Sequence, residues 1–118
     1  MSSGDGMVSY EVIISPKALS QLDSYIRYVR DTLFNPIAAE SIWRDAKKTQ
    51  KTLERIAVSL KLCGHPTLHE LGYHIIKFEK HDYAMLYRVE GETAYVDGIY
   101  HMMQDYENLF ADGLQNLP

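Results

Sequence analysis

Cys63, His65, His69 and His74 carry the thiol and imidazole donors that zinc prefers. Their spacing matches no standard zinc pattern and Pro66 falls inside it, so neither a metal nor a cofactor is expected. The alternative for Cys63 is an apolar side chain half-buried at a helix end. A second constellation is basic. Arg44, Lys47, Lys48, Lys51 and Arg55 recur at helical spacing, which lines them along one side of a helix, either as a solvated face or as a stripe that meets an acidic partner or a nucleic acid. The chain has no Gly-rich phosphate loop, no Gly-x-Ser-x-Gly elbow and no His-Glu-x-x-His helix. Nine tyrosines are many for 118 residues, and several must reach the surface, where the ring's apolar area and polar tip suit an interface.

This length allows one core and not two. Apolar residues at 46% and charged residues at 24% match an ordinary globular protein, and no apolar run approaches the length of a membrane span. Residues 1–8 read as a flexible leader rather than a signal peptide, with Met7 an alternative start, 9–110 as one domain and 111–118 as a frayed tail. One cysteine, with no partner for an internal disulfide, fits a reducing cytoplasm. The net charge of −4 is unevenly spread. Residues 16–63 hold nine Lys/Arg against five Asp/Glu, and residues 64–118 hold three against nine. Only the first half could attract a polyanion or an acidic partner.

Ser9 to Ser15 is rich in β-branched and aromatic types and reads as a strand. Ser15-Pro16 then starts a helix, because the Ser hydroxyl accepts an orphan N–H and Pro at the first helical position loses no needed donor. Ala18, Leu19, Leu22, Tyr25, Ile26, Val29 and Leu33 form its apolar stripe, about five turns long. Asn35-Pro36 repeats the start signal, and Ala39, Ile42, Ala46, Thr49, Leu53, Ile56 and Leu60 form the seam of a second helix. The pair is expected as an antiparallel hairpin. Cys63-Gly64-His65-Pro66 stops it.

From Gly72 the period changes to two, and Tyr73 to Phe78, Tyr83 to Val89 and Thr93 to Tyr100 read as three antiparallel strands joined by short loops. The N-terminal strand is expected at one edge. Tyr83, Met85, Tyr87 and Val89 share one face, while Ala84, Leu86 and Arg88 share the other, with Arg88 marking an open side. Met103, Tyr106 and Phe110 suggest a short helix from Met102 to Phe110. The result is an α+β fold of order βααβββα.

On these elements the chain resembles the RelE/ParE superfamily of toxins, most of all its ParE-like branch. The opening Tyr10-Glu11-Val12-Ile13-Ile14-Ser15-Pro16-Lys17-Ala18 is similar to the family's strand ending in Ser-Pro, and Asn35-Pro36-Ile37-Ala38-Ala39 to its second-helix opening. Gly72-Tyr73-His74, Asp82-Tyr83-Ala84-Met85-Leu86-Tyr87-Arg88-Val89, Ile99-Tyr100-His101 and Asp105-Tyr106 are similar to its strand motifs, so the resemblance runs from about Ser9 to Phe110. It implies the toxin of a type II toxin–antitoxin module, a growth inhibitor with a cognate antitoxin whose C-terminal segment lies along the helical pair and the sheet. The implied target is DNA gyrase for a ParE-like binder. It is the ribosome with its mRNA for a RelE-like endonuclease, and an inactive homologue that binds only its antitoxin is a third reading. Self-association as a homodimer is open as well.

The departures fall where nuclease chemistry would sit. Metal-independent RNA cleavage needs a base, an acid and a cation for the phosphate. The resemblance implies arginine at the place of Ala84 and basic residues where Met102, Met103 and Gln104 stand. The remaining candidates are His101, His81, Arg88 and Tyr106, with Lys77 and Lys80 as phosphate contacts. His101 leads, since it ends the last strand where the family has a histidine. Each has a bland alternative: a strand-end hydrogen bond for His101, a salt bridge for Arg88, and core packing for Tyr106.

Overall fold

Ser15 ends the first strand and begins the first helix in one residue. In the computed structural model, which describes residues 9–115, its Oγ accepts the Ala18 N–H at 3.1 Å. The leader expected over 1–8 lies outside the described residues. Strand β1 (Glu11–Ile14) therefore passes directly into α1 (Pro16–Arg27). The expected regular fifth turn is replaced by a π-helical turn, Tyr28–Thr32, closed by Leu33 N–H donating to the Tyr28 carbonyl at 3.0 Å. Phe34 then reverses the chain in the left-handed region at φ 54°, and Asn35 Oδ1 accepts the Ala38 N–H at 3.1 Å to cap α2 (Pro36–Ile56). Ala39, Ile42, Ala46, Thr49 and Leu53 of the anticipated seam are buried. Ile56 and Leu60 are only partly so, because α2 tightens into a 3-10 turn, Ala57–Ser59, that buries Ala57 in their place.

Strands β2 (His74–Lys77), β3 (Tyr83–Glu90) and β4 (Thr93–His101) form the expected antiparallel meander. Strand β1 joins at the edge, parallel to β4, giving the order β1-β4-β3-β2. One face packs Tyr83, Met85, Tyr87, Val96 and Ile99 against Ala18 and Leu22 of α1 and Ile42, Ala46 and Leu53 of α2. Each large side chain buried there stabilises the fold by about 1.5–3 kcal/mol. The Tyr87 hydroxyl, deep in this layer, donates to the Ala57 carbonyl at 2.6 Å and pins the end of α2.

The opposite face is not open, which corrects the expectation drawn from Arg88. Ala84 and Leu86 are fully buried. A second core of Cys63, Leu68, Tyr73, Tyr100 and Phe110 covers Leu86. Two helices supply part of it. The five-residue α3 (Pro66–Glu70) was unforeseen, being too short to show a period. The terminal helix α4 (Tyr106–Gln115) starts later and runs further than the expected Met102 to Phe110, because Phe110, Ala111 and Leu114 dock on this second core.

A β-bulge lets β4 serve both layers. Leu86 pairs with Gly98 but Tyr87 pairs with Val96, which leaves Asp97 as the extra residue. Inward facing thus moves from Ala94 and Val96 to Ile99, while Tyr100 turns to the second core. Gly98 lies beneath the rings of that core. A β-carbon there would stand 2.9 Å from Tyr100 Cε2 and 3.1 Å from Phe110 Cδ1.

Candidate functional site

His101 closes β4 opposite Tyr83, and the turn that follows uses up part of its ring. Its Nδ1 lies 3.0 Å from the Met103 N–H and accepts it, so the neutral ring carries its proton on Nε2. The ring stands edge-on to Tyr83 with centroids 4.9 Å apart. The His101 N–H is shared between the Tyr25 hydroxyl and Gln104 Oε1, each at 3.3 Å, and Tyr25 in turn donates to Gln104 at 2.7 Å. Burial pushes the Tyr25 phenol above its ordinary pKa, so it stays a hydrogen-bond donor at neutral pH. Among the described residues the His101 ring bonds no carboxylate.

The other acid–base candidates are elsewhere. Arg88 lies five residues along β3 from Tyr83, about 17 Å away at strand rise. Its Nε donates to Asp97 at 3.1 Å, a terminal nitrogen pairs with Glu90, and the guanidinium stacks 4.6 Å from the Tyr95 ring centroid. Asp97 also accepts the Tyr73 hydroxyl at 2.8 Å. Burial first, and then Asp97, push that phenol up to about 12. Tyr106 opens α4 and packs against the second core. His81 sits in the β2–β3 loop with its Nε2 2.9 Å from Ser41 Oγ on α2. His81 and His101 thus flank Tyr83 at one end of the sheet, where the Met102 N–H donates to the Asp82 carbonyl at 2.8 Å, whereas Arg88 lies at the other end of β3.

What holds the β2–β3 loop is Asp45, a residue passed over in the sequence. The residue is 4% exposed, and its carboxylate accepts the N–H groups of Glu79, Lys80 and His81 at 3.2, 2.9 and 2.8 Å. A signal was present: Asp45 is a lone acid within the apolar seam, between Ile42 and Thr49. By fastening the loop, it sets Lys80 beside Arg44 and Lys48 around a depression of about 190 Å³. The basic run follows one exposed side of α2 as its spacing required. Arg44 pairs with Glu40 and Lys48 with Glu79, each at 2.6 Å, and Lys47 lies 5.4 Å from the Trp43 ring centroid. Lys51 and Arg55 form no ion pair among the described residues, and Lys77 is exposed at the end of β2.

The zinc-type residues are spent on local structure. His65 Nδ1 accepts the Thr67 N–H at 3.2 Å, His69 Nδ1 lies 3.2 Å from the Cys63 carbonyl, and His74 Nδ1 lies 2.7 Å from the Leu60 carbonyl. Cys63 is buried rather than half-buried, and burial pushes its thiol up to about 12.

Two apolar grooves flank α1. One, of about 450 Å³, runs between α1 and α2 and is lined by Leu19, Ile26, Ala39 and Trp43, with Asp23 and Arg30 at its edge. The other, of about 510 Å³, lies between α1 and the end of the sheet, with Tyr25, Tyr28, Leu33, Tyr83 and His101 in its walls. Among the described residues no helix is long and apolar enough to cross a membrane.

A helical hairpin laid across a four-stranded sheet is the α+β architecture that the RelE/ParE resemblance implies. The chain belongs to its ParE family: the family described as "ParE toxin of type II toxin-antitoxin system, parDE" matches residues 12–106. Its structure is similar to one titled "Chromosomal ParDE TA system from P. aeruginosa". The TM-score is 0.66 at 19% identity, over 79% of this chain and 96% of that one, a likeness of fold. No curated protein matches the chain by sequence.

Proposed function

We propose that residues 9–110 act as a cytoplasmic toxin that arrests growth by binding its target, with DNA gyrase as the target the ParE resemblance implies. The observation that carries this reading is the separation of Arg88 from the histidines at the other end of the sheet. His101 and Arg88 stand about 17 Å apart, too far to act on one phosphate. Arg88 is held by Asp97 and Glu90, and Tyr106 packs in the second core. A nuclease needs base, acid and cation within hydrogen-bond reach of one phosphodiester. A binder needs only shape and area.

In this reading a cognate antitoxin neutralises the toxin by laying an amphipathic helix into the groove between α1 and α2. Leu19, Ile26 and Trp43 receive its apolar face. The neighbouring stripe of Lys47, Lys51 and Arg55, with Arg44, Lys48, Lys77 and Lys80 beyond, suits acidic residues on the same segment.

The test is to induce the chain in cells and follow DNA supercoiling and mRNA length together, with His101→Ala alongside. Loss of negative supercoiling with intact mRNA, unchanged in His101→Ala, is the expected result. Rapid mRNA fragmentation that disappears in His101→Ala would overturn the proposal in favour of a RelE-like nuclease. Normal growth with neither effect would leave only an antitoxin-binding homologue.

A further inference from the structure

The tip of the helical hairpin exposes more apolar side chain than the chain's own fold explains. Phe34 is 84% exposed, Ile37 79%, and Tyr28 and Leu33 55% each. Phe34 also has a positive φ of 54°, a conformation that Gly adopts freely and Asn tolerates, whereas a bulky residue there is an outlier. The turn itself is closed by backbone, with the Asn35 N–H donating to the Val29 carbonyl at 3.0 Å. An aromatic ring in water on a strained residue contributes nothing to the isolated fold.

We infer that this tip is an isologous contact between two copies of the chain, in which Phe34 of each copy enters the cleft beside Leu33 on the other. Leu33 is both a wall of the cleft lined by Tyr25, Tyr28 and Tyr83 and the neighbour of Phe34. Knob and hole therefore lie side by side on one surface. A twofold axis near Leu33 brings each knob to the other copy's hole, the reciprocity that a closed dimer needs. A cleft of about 510 Å³ has room for a phenyl ring.

Area and charge both favour a second copy. The four side chains of the tip expose on the order of 500 Å² of apolar surface, given about 150–250 Å² for a whole aromatic side chain. Tyr28 and Leu33 also line the cleft, so the whole patch stays below the roughly 800 Å² per partner of a standard interface, the size of a contact that forms and dissociates in the micromolar range. The charges bordering the tip cancel in local pairs: Arg27 with Asp23 at 2.5 Å, Arg30 with Asp31 at 2.8 Å and Arg44 with Glu40 at 2.6 Å. A chain of net charge −4 can thus approach itself here without local repulsion. An acidic segment would find excess cations only further along α2. Dimerisation would also close the cleft over His101.

Sedimentation velocity of the full chain over about 1–200 μM tests this, since a contact of this kind is expected to dissociate on the order of 10 μM. Wild type should pass from monomer to dimer across that range. Phe34→Asn, which suits the left-handed backbone, and Ile37→Glu should weaken association at least about tenfold. Val58→Ser, at an apolar residue 57% exposed beyond the far end of α2, should leave it unchanged. At about 1 μM, where wild type is monomeric and gains nothing from association, Phe34→Asn should melt at or above the wild-type temperature, because strain is relieved and no internal contact is lost. A monomer throughout the sedimentation range, association unaltered in both tip variants, or a Phe34→Asn protein that melts well below wild type at about 1 μM would each overturn the inference. The readout is mass and melting, not toxicity, so it stands or falls separately from the proposed inhibition of a target.

Discussion

Asp45→Ala removes the acceptor of three backbone N–H groups at 2.8–3.2 Å while leaving the apolar packing of α2 in place. A hydrogen bond to a charged group contributes about 1.5–3 kcal/mol net. Glu79 and Lys80 are exposed, so water regains much of what their N–H groups lose, whereas His81 is half-buried and regains less. The expected cost is roughly 2–4 kcal/mol. In a domain of this size that lowers the melting temperature by about 10–15 °C. Asp45→Asn keeps one acceptor oxygen but turns an NH₂ group towards the donors, and should cost about half as much. Ser41→Ala, which loses only the contact to His81 at 2.9 Å, should cost less than about 1 kcal/mol. Urea denaturation followed by circular dichroism measures all three. If Asp45→Ala lies within about 0.5 kcal/mol of wild type, the loop is held by something other than this carboxylate, and the argument placing Lys80 beside Arg44 and Lys48 fails with it.

Gly98→Ala puts a methyl group against the Tyr100 and Phe110 rings and should destabilise by about 1–3 kcal/mol through overpacking. A neutral effect in urea denaturation would show that α4 is free to lift off the sheet. Stability should also fall at alkaline pH. Burial raises the Cys63 thiol from 9.0 to about 12 and the Tyr73 phenol from 10.0 to about 12. Both groups hold their protons more tightly when folded, so their contribution is complete below the unfolded values and is lost as pH rises through the folded ones. The urea midpoint should drop between about pH 9 and 12, and Cys63→Ala should delay the first part of that drop. A midpoint unchanged to pH 12 would contradict the burial of both groups.

Much of this fold was legible because it is written in neighbours. Ser15-Pro16 and Asn35-Pro36 start helices through contacts spanning three residues, and the structure has both caps. The seam from Ala39 to Leu53 identifies a buried face by period alone, whereas the alternation from Tyr83 to Val89 identifies one buried face of β3 and misses the other. The site was less legible. His101, Arg88, His81 and Tyr106 are conspicuous by type, but type carries no distance. Asp45 was the reverse case, an inconspicuous acid whose position inside an apolar seam was the clue.

The sequence by itself determined where the two long helices and the strands begin, which side of those helices is apolar, and that the first half of the chain is basic. Capping, period and charge count depend only on residues within a turn or two of one another. The tertiary structure alone decided that β1 runs parallel to β4, that α3 and α4 close the second face of the sheet, and that a bulge at Asp97 turns β4 between two cores. It also separated His101 from Arg88. Those outcomes depend on which apolar surfaces meet across tens of residues, a competition among packings to which no local pattern is sensitive.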